Sequence, residues 1–118
     1  MLLKGNRLMR VNRAFEDYFA WSRADAIGRS AGMVFPDART YRRFVRRTRQ
    51  TMARDQVFRE ELELRTADSG ESRWCRVTGR SINPEDSRSA SVWILEDITE
   101  ERQVEERLQL AATVFENT

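Results

Sequence analysis

Three stretches in the second half of the chain carry the hydrophobic pattern of strands. Residues 57–66 alternate, with Phe58, Leu62 and Leu64 on one face and Glu61, Glu63 and Arg65 on the other. After the turn signal Asp68-Ser69-Gly70-Glu71, residues 72–82 form a long strand with Cys75, Val77 and Gly79 on one face and Trp74, Arg76 and Thr78 opposite. A second turn, Asn83-Pro84-Glu85-Asp86-Ser87, leads into the strand 90–98, and the three strands read as consecutive antiparallel hairpins. Before them lies the clearest helix, 39–54. There Tyr41, Phe44, Val45, Thr48 and Met52 make one stripe of a 3.6-residue period, and Arg42, Arg43, Arg46, Arg47 and Arg49 cover the rest.

The first third is built of shorter pieces. Residues 7–11 form a strand after the Gly5-Asn6 turn signal, and Met1-Leu2-Leu3 is only a stub of a partner strand, which predicts a short or exposed sheet edge. Asn12 is placed as an N-cap for 13–19, where Phe15, Tyr18 and Phe19 share one helical face. Residues 23–35 read as short helical turns punctuated by Gly28 and Gly32 and ended by Pro36. At the other end, the strand 90–98 passes into a charged, periodic helix with almost no loop. Asp97 and Thr99 are both N-cap residue types, and Glu100 stands three residues after Asp97, a capping-box spacing. In that helix Val104, Leu108, Ala111 and Phe115 recur at steps of 4, 3 and 4, as in a coiled coil. Helices segregated from an antiparallel sheet make the fold class α+β.

Composition narrows the chemistry. A chain of 118 residues, 40% hydrophobic and 34% charged, makes one globular domain. No apolar run approaches the ~20 residues of a membrane span, and Met1-Leu2-Leu3-Lys4 is too short for a signal peptide's apolar region. A single cysteine excludes an internal disulfide and fits a reducing compartment, so a cytoplasmic location is expected. Histidine is absent, which removes imidazole as metal ligand, haem ligand and general base. No acid–base pair or nucleophile constellation appears, so neither an enzyme nor a metal site is expected. The formal charge of +2 conceals seven arginines and one acid between Pro36 and Asp55, against seven acids and two arginines from Glu96 to Thr118. The arginines spread over a broad helical face without interleaved exposed aromatics, which argues against a nucleic-acid partner and for contact with acidic surfaces.

The order of elements and several local sequences resemble the PAS family of sensory domains. The carriers are residues 7–16 from Arg7-Leu8-Met9-Arg10-Val11-Asn12 into Arg13-Ala14-Phe15-Glu16, Ala26-Ile27-Gly28, Glu60-Glu61-Leu62-Glu63-Leu64 with Asp68 to Gly70 and Trp74, and Asp97-Ile98-Thr99-Glu100. The resemblance spans residues 7–100 and implies an antiparallel sheet of about five strands, its first strand truncated, with short helices and one long helix on one face. It implies a core at 1–99 and a connector helix at 100–118. The tail from Leu110 to Thr118 looks like the lead-in to a further domain, so the chain reads as part of a bacterial signalling protein with a diguanylate cyclase or histidine kinase downstream. The chain departs from the family in three ways. Asp68-Ser69-Gly70 is one residue longer than the family's usual turn. The cysteine motif of flavin-binding light sensors is absent, since Cys75 lies in a late strand. Lack of histidine argues against the family's usual haem.

The resemblance also turns the Cys75 face, Trp93 and Leu95 inward. The candidate ligand cavity is then walled by Phe15, Tyr18, Phe19, Phe35, Phe44, Leu62, Leu64, Cys75, Val77, Trp93 and Leu95, suited to a small, apolar ligand. The competing reading is that these eleven side chains simply fill the core. Cys75 is expected to be a buried, inert thiol, with Arg73 and Arg76 pointing to the other face or straddling it. Trp74 belongs on the outer face, covered by the terminal helix, a partner or Arg76. Asp97, Ile98 and Thr99 are the expected signal junction, as cap, apolar anchor and hydroxyl contact, and the stripe Val104, Leu108, Ala111 and Phe115 is expected to align two chains as a homodimer. The functional expectation is a sensory domain passing a change through its terminal helix to a downstream effector. The alternative is a ligand-free dimerisation module.

Overall fold

The two-residue turn Gly5-Asn6, with φ of 58° and 62°, folds the first strand β1 (Leu2–Lys4) back on β2 (Arg7–Arg10). The computed structural model describes residues 1–67, 71–86 and 89–116; the turn residues Asp68, Ser69, Gly70 and Ser87 and the tail residues Asn117 and Thr118 lie outside them. Four short connections then follow sequence rules closely. Asn12 caps α1 (Arg13–Phe19) by accepting the Phe15 N–H at 2.9 Å, and Ser22 caps α2 (Arg23–Ala26) by accepting that of Asp25. Ser30 caps a 3-10 helix (Ala31–Val34), and Asp37 caps α3 (Ala38–Ala53) through the Thr40 N–H at 2.7 Å.

The meander β3 (Phe58–Arg65), β4 (Ser72–Ser81) and β5 (Ser91–Asp97) runs straight into α4 (Thr99–Glu116). The sheet order is β2-β1-β5-β4-β3, all antiparallel. The first strand is short, as expected, but it does not lie at an edge of the sheet. The three-residue β1 is an interior strand, and the edges are β2 and β3. It holds this place because it is bonded on both sides. Leu2 pairs with Val92 and Leu3 with Ser91, the Met1 ammonium donates to the Trp93 carbonyl at 3.0 Å, and the Trp93 N–H donates to Met1 at 2.9 Å. Trp93 thus turns its backbone groups toward β1, and by alternation Leu95 and Asp97 turn theirs the same way. No described strand residue lies opposite those two.

Inside, α3 presents Phe44 and Thr48 to the sheet, flanked by the half-buried Tyr41, Val45 and Met52, as the stripe predicts. Phe44 sits at the centre of an aromatic cluster, 4.8 Å from Phe35, 5.4 Å from Phe58 and 5.4 Å from Trp93 between ring centroids. The Trp93 ring lies across Gly79, its register partner on β4, where no side chain intervenes. From the solvated face Arg47 forms an ion pair with Glu60, which lies on the inward side of β3 and is thereby tied to α3.

Candidate functional site

The expected cavity walls separate into two groups. Phe35, Phe44, Leu64 and Val77, with Trp93 and Leu95, surround a void of only about 20 Å³, about the space of one water. At this end the aromatic cluster fills the core and those four residues pack together, as the competing reading has it. Leu62 packs half-buried against the core and lines neither space. Phe15, Tyr18, Phe19, Cys75, Trp93 and Leu95 instead line a cleft of about 530 Å³ between α1 and β5, within the range of small-molecule sites. Met1, Asn12, Ala14, Val92, Ile94 and Asp97 complete its wall. Small side chains at Ala14 and Cys75, and the stretch of β5 beyond β1, account for the room.

The cleft is largely apolar with a polar floor. The Tyr18 hydroxyl lies 3.1 Å from Cys75 Sγ. Burial pushes the Tyr18 phenol far above its usual range, helped by the hydrogen bond to Cys75. Burial likewise raises the Cys75 thiol, outweighing the opposing effects of Tyr18 and Arg73. Both groups therefore stay protonated at neutral pH, and Cys75 is a poor nucleophile. From the sequence, Arg73 is expected to point to the opposite face or to straddle the strand. It stands on the Cys75 face instead, its guanidinium 4.9 Å from the Tyr18 ring centroid, because residues 73 and 75 share the strand's period-2 side. At Asp97 burial opposes ionisation, but Thr99's donors, the Arg73 charge and the neighbouring Tyr18 hydroxyl outweigh it and hold the carboxyl below its ordinary value.

Asp97 joins this floor to the start of α4. Its Oδ1 accepts the Thr99 N–H at 3.0 Å, so it caps one residue earlier than the capping-box spacing with Glu100 requires. The reason is that the helix starts at Thr99 and the intervening Ile98 is drawn into the core, where it is 1% exposed. Ile98 donates its N–H to the Trp74 carbonyl at 2.9 Å, and Thr99 Oγ1 accepts the Trp74 N–H at 3.1 Å. The backbone of Trp74, next to Cys75, thereby holds the first residues of the helix. On the sheet's outer face the Trp74 ring is covered by Arg102 of α4, whose guanidinium carbon stands 3.5 Å from the ring centroid. Sequence reasoning assigned no role to Arg102 and did not place Asp97 in the cleft. The signal was Trp74 itself, an aromatic expected on the outer face with the terminal helix as one of its possible covers. Val104, Leu108, Ala111 and Phe115 all stand exposed on α4.

Among the described residues no cluster of three or more acidic, cysteine or histidine side chains is placed to hold a metal, and no helix is long and apolar enough to cross a membrane. A family model described as the PAS fold matches residues 4–103. The PAS domain of a LuxR-family transcriptional regulator from Burkholderia thailandensis, solved in complex with ethanol, superposes with a TM-score of 0.75 at 29% identity, covering 82% of this chain and 85% of that one. The LOV domain of a blue-light activated histidine kinase from Erythrobacter litoralis gives a TM-score of 0.63 at 25% identity, covering 79% and 84%. The Sensor protein TdiS of Thauera aromatica is 25% identical over 114 residues, 97% of this chain, which spans 21% of that protein's length. The five-stranded sheet, its helices and the matched span agree, and the chain belongs to the PAS family of sensory domains.

Proposed function

We propose that this PAS domain reports occupancy of the α1–β5 cleft through Asp97, Ile98 and Thr99 to α4, and through α4 to an effector domain in the same protein. One observation carries the reading: Asp97 stands in the cleft wall and also caps the first turn of α4. An occupant that displaces Tyr18 or contacts the Asp97 carboxylate competes for the groups that hold Thr99. The expected ligand is small and mostly apolar, with one polar group for the Tyr18–Cys75 floor. The ethanol held by the Burkholderia relative supports a ligand of that scale.

The core then comprises residues 1–99 and the connector 100–118, acting in the bacterial cytoplasm with a diguanylate cyclase as the favoured effector. Val104, Leu108, Ala111 and Phe115 align two chains at the coiled-coil spacing, so that a changed helix angle in each protomer alters their register. The near-absence of space around Phe35, Phe44 and Val77 favours the second reading, a ligand-free dimerisation module, at that end of the core. The two are separated in the full-length protein. Asp97→Ala is expected to change basal effector output while leaving the domain folded, and unchanged output and regulation in that variant would remove the junction role.

A further inference from the structure

α4 leaves the body of the domain after a single turn. Thr99 and Arg102 are half-buried, and every residue from Gln103 to Glu116 is exposed. Whatever orients the helix is therefore confined to residues 97–102. The contacts of Asp97, Ile98 and Thr99 gather at the junction itself, and attachment at one place leaves a rod free to pivot. The second point of attachment is on the other side of the sheet.

There the Arg102 guanidinium meets two partners. Its carbon is 3.5 Å from the Trp74 ring centroid, and its Nη1 is 2.9 Å from Glu61 Oε2. Glu61 is itself held from β4, with its Oε1 3.6 Å from Arg76 Nη2. Arg76 extends the same network to Glu96 on β5 at 3.2 Å and to Glu101 on α4 at 3.8 Å. Three strands and the first turn of the helix thus meet in one charged cluster on the outward face. An isolated exposed ion pair contributes little. A guanidinium held between an aromatic face and a carboxylate is fixed in position and in plane, which an ammonium group does not reproduce.

We infer that Arg102 is the positioning residue that sets the direction in which α4 leaves the sheet, with Trp74 and Glu61 as its seat. The consequence for signalling rests on α4 being the output element, but the seat itself is tested without ligand or effector. Backbone residual dipolar couplings of the 118-residue chain report it directly. In the unaltered chain the α4 amides should share one alignment frame with β3, β4 and β5. Arg102→Ala should average the α4 couplings toward zero while those of the sheet stay unchanged. Glu61→Gln and Arg102→Lys should each cause a smaller loss. Should Arg102→Ala fail to fold, Glu61→Gln still decides the matter. Full-strength α4 couplings in a folded Arg102→Ala chain, or in Glu61→Gln when Arg102→Ala does not fold, overturn the inference.

Discussion

Gly79 is the position where the packing of this domain makes its sharpest prediction. A Cβ added there would stand 2.3 Å from Trp93 Cε3, 2.4 Å from Cζ3 and 2.6 Å from Cδ2. Carbon atoms pack best at ~3.5 Å and essentially never below ~3.0 Å, so the indole must retreat by about 0.7–1.2 Å. It has little room to do so. The ring is 4% exposed, meets Phe44 at 5.4 Å and Phe58 at 5.8 Å, and donates its Nε1–H to Ser91 Oγ at 2.8 Å. Overpacking of this kind costs about 1–3 kcal/mol, and loosening two aromatic contacts adds about 0.5–1.5 kcal/mol each. Replacing a strand glycine returns roughly 0.5–1 kcal/mol of backbone entropy. The expected net loss for Gly79→Ala is about 3 kcal/mol, within a range of roughly 1–5, in urea unfolding, with a midpoint temperature lowered by about 10 °C or more. Placing the same change in a Trp93→Leu background should recover about 1 kcal/mol or more of that loss, since the two sites are in direct contact. A Gly79→Ala chain within about 0.5 kcal/mol of the original, or a loss undiminished beside Leu at position 93, refutes the close approach.

Ile98 is 1% exposed, so Ile98→Ala should cost about 2–5 kcal/mol in chemical unfolding and weaken the start of α4 with it. Asp97 is held below its ordinary value of 3.8 in the folded chain, so its contribution to stability is complete above that value and lost as the pH falls through the folded midpoint. A carboxyl NMR titration should place its midpoint below 3.8, and Asp97→Asn should flatten that part of the stability profile. In a chain long enough to dimerise, Leu108→Asp should shift sedimentation toward the monomer. An unchanged mass distribution would remove the exposed α4 stripe from the interface.

Much of the fold was legible because it rests on short-range periodicity. The Phe44–Thr48 stripe of α3, the alternation of β3 and the cap at Asn12 are all set within a few residues of chain. The place of β1 was not legible, because a three-residue strand gains its interior position from bonds to β5, some ninety residues away. Periodicity grouped side chains by face and the family resemblance turned the Cys75 face inward, without showing which inward side chains leave space. Phe35 and Phe44 fill the volume beside Trp93, whereas Phe15 and Tyr18 border an open cleft, and that division depends on how rings meet across elements. Arg73 followed its strand parity onto the Tyr18 face. Arg102 meets Trp74 and Glu61 only where the first turn of α4 passes the outer face of the sheet, a contact between elements distant in sequence.

The central claim is that Asp97 links the cleft to the helix. Its most direct test is a ¹H–¹⁵N NMR titration of the 118-residue chain with primary alcohols from ethanol to hexanol, comparing the unaltered chain with Asp97→Ala. In the unaltered chain the amides of Tyr18 and Leu95 should shift together with those of Thr99 and Arg102, at one midpoint. In Asp97→Ala the cleft amides should still respond while Thr99 and Arg102 remain still. Alcohol shifts confined to the cleft in the unaltered chain, shifts at Thr99 that persist without the Asp97 carboxylate, or no response at all would contradict the account.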